Sequence, residues 1–149
     1  MKKTINELER GFNEAEKLRN NGSLEKAVYL FLEILKKKPS FQPALNNVAN
    51  CYFKLNKLDL AEQYYLKCLK INSNNILIIN NLSLLYLKAK NFEKALPILQ
   101  ESLNKKIDQE HIVEKIAYCL TELNLFNELD EFCKKNMKIY PNNKIVLSY

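Results

Sequence analysis

The sequence contains very little glycine and proline: two glycines and four prolines occur in 149 residues. All-β folds use glycine in their many turns, so this scarcity favours helices joined by short loops. At this length the chain can form one domain with a sizeable core, and it is too short for two comfortable domains.

The sequence also lacks the residues of a conventional zinc site. His111 is the only histidine, and no two of the four cysteines form a CxxC pair. Each cysteine lies in an apolar helical pattern, where a free thiol packs like a small hydrophobe. Free thiols indicate a reducing compartment. We therefore expect a cytoplasmic protein with no metal and no other cofactor.

Signals for export or membrane insertion are absent as well. The first residues, MKKTINELERGF, contain two lysines but no apolar run after them, unlike a signal peptide. No apolar stretch approaches the roughly 20 residues that a membrane-spanning helix needs. We expect no membrane span.

Catalytic motifs are missing too. The sequence contains no GxGxxG, no Walker loop, no HExxH and no nucleophile elbow. Carboxylate pairs such as Glu14 and Glu16 lie on helix faces that are normally solvated. We predict that the chain is not an enzyme and has no catalytic residues.

Positive charge is in excess, with a formal net charge of +6. Arg10 and Arg19 are the only arginines among the 23 basic residues. Nucleic-acid surfaces usually rely on arginine for bidentate and stacked contacts, so a lysine-rich chain fits a solvated helical surface better. We expect no nucleic-acid partner.

Apolar residues recur at helical spacing in eight segments. The predicted helices cover about residues 4–20, 24–38, 42–55, 58–71, 76–89, 92–104, 109–123 and 126–140. In the first turn, Gly22 fits the left-handed C′ position and Ser23 is placed to cap the second helix. Pro39 ends that helix, because the residue before a proline is pushed out of the α region.

A shift of 34 residues aligns the four helix pairs with one another. One alignment column of small residues, in the first helix of each pair, contains Ala15, Ala49, Ser83 and Ala117. A small column in the second helices holds Ala27, Ala61 and Ala95, with Leu129 in the fourth pair. Small side chains let helices approach closely, and Leu129 is expected to disturb its pair. Tyr65 is expected to pack in the repeat with its hydroxyl reaching the surface.

A 34-residue helix-turn-helix period with small residues at these places resembles the tetratricopeptide repeat. The resemblance divides the chain into repeats at about 8–41, 42–75, 76–109 and 110–143, with an incomplete segment at 144–149. It implies one all-α domain, a right-handed α-solenoid whose first helices line a concave groove. Neighbouring repeats are expected to stack, because one helix pair cannot bury its apolar face alone.

Asparagines recur on the face that would line the groove. Asn13, Asn47 and Asn81 share one column, and Asn46 and Asn80 share another. An amide donates and accepts hydrogen bonds, so a ladder of amides can hold an extended peptide backbone. The first column resembles the asparagine ladder of the O-linked N-acetylglucosamine transferases. The competing explanation is composition, since the chain contains 20 asparagines.

Some co-chaperones of the family hold a terminal carboxylate in a clamp of lysine, arginine and asparagine. Asn50, Asn81 and Lys115 match three places of that clamp. Asn46 and His111 stand where the clamp has lysines, which removes much of the charge-assisted attraction.

We predict a non-catalytic protein–protein interaction module, a scaffold or adaptor that binds a peptide or protein segment in its groove. Lys54 and Lys88 would give that groove a basic edge for acidic peptides, although solubility explains them equally well. The alternative is a substrate-docking or regulatory arm of a larger enzyme, such as a glycosyltransferase or sulfotransferase-like protein.

The C-terminal edge is apolar but too short for a stable helix, with Ile145, Val146 and Leu147 in its last residues. Terminal repeats normally carry a polar cap. Either the native chain continues, or the edge frays, or it mediates self-association with another subunit.

Overall fold

A computed structural model of the chain describes residues 2–105 and 110–141, and every regular element in these ranges is an α-helix. The helices are α1 (Lys2–Asn20), α2 (Leu24–Lys37), α3 (Gln42–Lys54), α4 (Leu58–Ile71), α5 (Ile76–Lys88), α6 (Phe92–Lys105), α7 (Glu110–Glu122) and α8 (Phe126–Met137). The predicted helices are confirmed, with their ends shifted by a few residues at most.

The largest shift concerns α8, which ends at Met137 instead of near Tyr140. The backbone N–H groups of Ile139 and Tyr140 both donate to the carbonyl of Asn136, which closes a turn there. Pro141 follows directly, and a residue before proline avoids the α region. The incomplete segment predicted at 144–149 lies outside the described residues.

The chain divides into two compact units, Met1–Ile78 and Ile79–Tyr149. The first unit contains α1 to α4, and the second contains most of α5 together with α6, α7 and α8. The predicted repeat boundaries, and the single domain that they would form, stay predictions.

The small-residue columns lie in the core of both units. The fully buried members in the first unit are Ala15, Ala27, Ala49 and Ala61. Those of the second unit, exposed by at most 1%, are Ser83, Ala95 and Ala117. Leu129 takes the place of an alanine in the last helix pair and is also buried, with 1% exposure. Small side chains at these positions allow the close axis separation of packed helices.

Aromatic rings join α1, α2 and the start of α3 in the first unit. Phe12 lies edge-on to Phe31, with ring centroids 5.5 Å apart, and edge-on to Phe41 at 5.4 Å. Edge-to-face pairs contribute about 0.5–1.5 kcal/mol beyond the area that they bury. Phe12 is therefore a junction between three consecutive elements.

The four cysteines are free and buried, as the sequence predicts. Burial raises the pKa of the Cys68 and Cys119 thiols to about 11. It also raises the pKa of Cys51 and Cys133. A protonated, buried thiol is a poor nucleophile, so these side chains act as packing residues.

The two helices of each pair are joined by the same backbone turn, repeated at 34-residue steps. A positive φ occurs at Gly22 (81°), Asn56 (58°), Lys90 (54°) and Asn124 (58°). The N–H of the next residue then donates five residues back, at 2.9 Å in all four turns. These bonds define a Schellman motif, in which the residue at C′ is left-handed. The role predicted for Gly22 is confirmed.

Side-chain capping after these turns is uneven. Ser23 occupies the N-cap of α2, but its side chain makes no capping hydrogen bond, so the predicted cap was wrong. Asn91 does cap its helix, because its Oδ1 accepts from the backbone N–H of Lys94 at 3.2 Å. The backbone turn, and not the side-chain cap, is the common element.

Lys90 is the residue least suited to this turn. The left-handed conformation costs a residue with a Cβ about 1–2 kcal/mol, which glycine avoids. We predict that Lys90→Gly raises the free energy of unfolding by about 0.5–1 kcal/mol in urea denaturation. The gain is smaller than the conformational cost that it removes, because a glycine loses more backbone entropy on folding. Asn56→Gly is the matched control and should gain less, because asparagine already tolerates this conformation. A lower stability for Lys90→Gly would contradict the assignment.

Candidate functional site

The predicted site residues of the first unit lie on α1 and α3. Asn13 is exposed on α1, whereas Asn46 and Asn50 are half-buried on α3 and Lys54 is exposed at its end. Residues four apart share a helix face, so Asn46, Asn50 and Lys54 form one line along α3. We call these three residues the polar stripe.

Asn47 differs from its neighbours because its amide oxygen accepts a hydrogen bond from Arg19. Nη1 of Arg19 donates to Oδ1 of Asn47 at 2.5 Å, which joins α1 to α3. The Asn47 side chain is 5% exposed. It therefore supports the packing of two helices instead of presenting an open amide. The proposed ladder thus starts with an exposed Asn13 and a buried Asn47, and its binding role stays a prediction.

Arg19 is held in a fixed orientation by two further neighbours. Its Nε and Nη2 atoms donate to Asn20 Oδ1 at 3.3 and 3.1 Å, and Nη2 lies 3.5 Å from Glu16 Oε1. The side chain remains 24% exposed, so an oriented guanidinium reaches the surface beside Asn47. Sequence comparison by column missed Arg19, because its 34-residue equivalents are not basic. The signal that it offered was its rarity, as one of two arginines.

Asn50 is oriented from inside the fold. The hydroxyl of Tyr65 donates to Asn50 Oδ1 at 2.5 Å, and Asn50 Nδ2 donates to Asn46 Oδ1 at 3.4 Å. Tyr65 is 1% exposed, and burial raises the pKa of its hydroxyl above the ordinary value. The hydroxyl therefore stays a neutral donor. The expectation that it reaches the surface was wrong, because Asn50 receives it within the α3–α4 pair.

The predicted residues of the second unit have more varied surroundings. Asn80 Oδ1 accepts from the Ser102 hydroxyl at 3.4 Å, which links α5 to α6. Lys115 is half-buried on α7, and burial lowers its pKa while Glu114 opposes the shift. The other predicted residues are Asn81, half-buried, and Lys88 and His111, both exposed.

Two exposed side chains of the second unit are absent from the predicted site. Leu84 and Tyr118 are 41% and 45% exposed, at the positions 34 and 68 residues after Asn50. The Tyr118 ring lies edge-on to Phe92, with centroids 5.4 Å apart. A search for residues that repeat cannot find this column, because its chemistry changes from one repeat to the next.

No cluster of three His, Cys, Asp or Glu side chains that would hold a metal ion occurs in the described ranges. None of the helices in these ranges has the length and apolar character to cross a membrane.

The Arg19–Asn47 hydrogen bond is expected to contribute to stability. Arg19→Ala removes the donor of a buried amide oxygen, so we predict a loss of about 1–3 kcal/mol in the free energy of unfolding. Arg10→Ala, on the exposed side of the same helix, is the control and should change it by less than about 0.5 kcal/mol. In urea denaturation, the double variant Arg19→Ala/Asn47→Ala should lose less unfolding free energy than the two single variants lose in sum. Equal effects of the two arginine variants would refute the assigned role.

Family models described as tetratricopeptide repeat match two consecutive parts of the chain. The first match covers residues 43–75, which contain most of α3 and all of α4, and the second covers residues 76–106, which contain α5 and α6.

Solved structures of low sequence identity share the fold. MamA from Desulfovibrio magneticus RS-1 has a TM-score of 0.79 at 17% identity, over 90% of this chain and 76% of that chain. YrrB, described as a tetratricopeptide-repeat (TPR) protein with an unusual peptide-binding site, has a TM-score of 0.70 at 17% identity, over 93% of this chain and 89% of that chain. These likenesses confirm the predicted fold class, an all-α helical-repeat solenoid.

A curated relative is much longer than this chain. The BBSome complex member BBS4 homolog of Drosophila melanogaster is 24% identical over 106 residues, or 71% of this chain and 22% of that protein. The chain thus spans about a fifth of the length of this relative. The two consecutive repeat matches support the assignment of this chain to the tetratricopeptide-repeat family.

Proposed function

We propose that the first unit of this chain binds a peptide or protein segment on the face formed by α1 and the polar stripe of α3. Membership of the tetratricopeptide-repeat family makes the chain a protein–protein interaction module. The observation that carries the proposal is the Asn46–Asn50 amide pair, which a buried tyrosine orients from within the fold.

Preorganisation is the physical reason to select this face. Ordering a free side chain on binding costs about 0.5–1.5 kcal/mol, and Tyr65 already fixes Asn50. Asn46 and Asn50 are half-buried, and a side-chain amide is able to donate to and accept from the backbone of a bound peptide. Exposed Lys54 ends the stripe, and Arg19 adds an oriented guanidinium near Asn47. Both cations favour a partner with acidic groups.

The comparisons support this proposal by analogy. YrrB is described as having a peptide-binding site, and the Drosophila relative is described as a member of a complex. We infer a non-catalytic scaffold or adaptor role from the same pattern. The docking or regulatory arm of a larger enzyme, the cytoplasmic location, the lack of a nucleic-acid partner and self-association through the C-terminal edge stay predictions.

Selection of peptides from a random 12-residue display library against the whole chain tests the proposal. We predict that Asn46→Ala and Lys54→Ala each weaken the binding of selected peptides by about fivefold to tenfold, the loss expected for one hydrogen bond or charged contact. Tyr65→Phe should weaken binding too, because it releases Asn50 without changing the surface. Isothermal titration calorimetry measures each affinity.

Two surface variants provide matched controls for these changes. Lys70→Ala, at the exposed end of α4, controls for Lys54→Ala, and Asn127→Ala, exposed on α8, controls for Asn46→Ala. Both should bind the selected peptides with unchanged affinity. Equal loss in control and stripe variants, or failure of the library to yield any binding peptide, would rule the proposal out.

A further inference from the structure

An apolar cavity of about 240 Å³ lies between α1, α2 and the start of α3 in the first unit. Its lining residues are Leu8, Glu9, Phe12, Ile34, Lys38 and Phe41. Leu8 and Phe12 are four residues apart on α1 and therefore share a helix face. The cavity thus has apolar walls and two exposed, oppositely charged side chains, Glu9 and Lys38, at its margin.

The walls of this cavity are held by contacts within the fold. Phe12 packs edge-on against both Phe31 and Phe41, and Ile34 is 5% exposed. The backbone N–H of Phe41 donates to the Lys38 carbonyl at 3.1 Å, and the Lys38 ammonium lies 4.9 Å from the centre of the Phe41 ring. The cavity is therefore preformed, and occupying it requires little rearrangement.

The volume of the cavity decides the class of occupant. Pockets for drug-sized ligands measure about 300–1,000 Å³, so this one is smaller than such a pocket. It corresponds to roughly eight times the ≈ 30 Å³ that a water molecule fills in the liquid. One bulky aliphatic or aromatic side chain fits that space, and moving it out of water into apolar walls is favourable.

The charged residues at the margin of the cavity determine which kind of residue is favoured beside the apolar side chain of a bound peptide. Lys38 offers an ammonium group to an acidic neighbour, whereas Glu9 repels a second acid on the α1 side. The net charge of +6 favours acidic partners for the chain as a whole. A peptide with an acidic residue beside its apolar anchor therefore suits this margin.

The cavity also lies within reach of the face proposed above. Phe12 and Arg19 are seven residues apart on α1, which corresponds to about 10.5 Å at 1.5 Å per residue, and the two positions lie on the same side of the helix. About three residues of an extended peptide cover that distance at about 3.3 Å each. One bound segment can thus contact both places.

We propose that this cavity is an anchor pocket that takes a bulky apolar side chain of a partner peptide, with an acidic residue of the same peptide at Lys38. The proposal rests on the proposed function and adds to it the chemistry of the partner. It requires a short apolar–acidic pair in the bound segment.

NMR titration of the whole chain with synthetic dodecapeptides tests this pocket directly. The probes are Gly-Ser peptides with a central Phe-Glu, Leu-Glu, Ala-Glu or Phe-Lys pair. Phe-Glu and Leu-Glu should shift the aromatic signals of Phe12 and Phe41 and the methyl signals of Ile34 in a saturable way. Ala-Glu should bind at least tenfold more weakly, and Phe-Lys about threefold more weakly than Phe-Glu.

Variants of Leu8 and Lys38, with controls on α4, tie the signals to the pocket. Leu8→Trp fills it and should abolish the shifts, while Leu60→Trp, at an exposed position of α4, should leave them unchanged. Lys38→Glu should reverse the preference between Phe-Glu and Phe-Lys, and Lys70→Glu is its control. Leu8→Ala enlarges the pocket and should therefore raise the affinity for the Phe-Glu peptide relative to that for the Leu-Glu peptide. This variant keeps the test valid if Leu8→Trp fails to fold.

The same spectra separate this inference from the function on which it rests. The side-chain amide signals of Asn46 and Asn50 report binding on the polar stripe, and the Phe12, Ile34 and Phe41 signals report the pocket. Unmoved pocket signals, or equal affinity for Ala-Glu and Phe-Glu, overturn the anchor pocket even if the amides shift. Pocket shifts without any amide shift support the anchor and contradict the proposed peptide path along α3.

Discussion

The close approach of helices at alanine and serine positions is the constraint on which the rest of the structure depends. Ala15, Ala27, Ala49 and Ala61 are fully buried in the first unit, and a larger side chain at any of them would separate helix axes or force its neighbours off their rotamers. Because this packing fixes the helices, polar side chains near the surface acquire fixed partners. The Arg19–Asn47 and Tyr65–Asn50 hydrogen bonds are consequences of that fixed spacing.

The helix-turn-helix scaffold recurs along the chain, and its surface is where the repeats differ. At one position of the first helices, the successive repeats place Glu16, Asn50, Leu84 and Tyr118. An acid, an amide, an aliphatic and an aromatic side chain thus occupy the same structural place on α1, α3, α5 and α7. The core tolerates this change because these side chains lie outside it, half-buried or exposed. Such variation gives the surface of each repeat a different chemistry.

The features that repeat every 34 residues could be predicted from the sequence, and those that do not repeat could not. The eight helices, the small columns and the left-handed Gly22 follow from periodicity and turn chemistry. Burial of Asn47 did not follow, because it depends on a single arginine 28 residues away. The inward hydroxyl of Tyr65 and the pocket beside Phe12 likewise result from tertiary contacts between residues of different columns. Such contacts cannot be predicted from composition and spacing.

Photo-cross-linking in the cell of origin tests most directly whether partners bind the α1–α3 face. A p-benzoylphenylalanine residue replaces Asn13, Lys54 or, as a control, Lys70, each of which is exposed in the first unit. We predict cross-linked species from the first two positions, diminished by Tyr65→Phe in the same chain, and none from the third. Cross-links from Lys70 alone, or equal yields at all three positions, would contradict the proposed binding face.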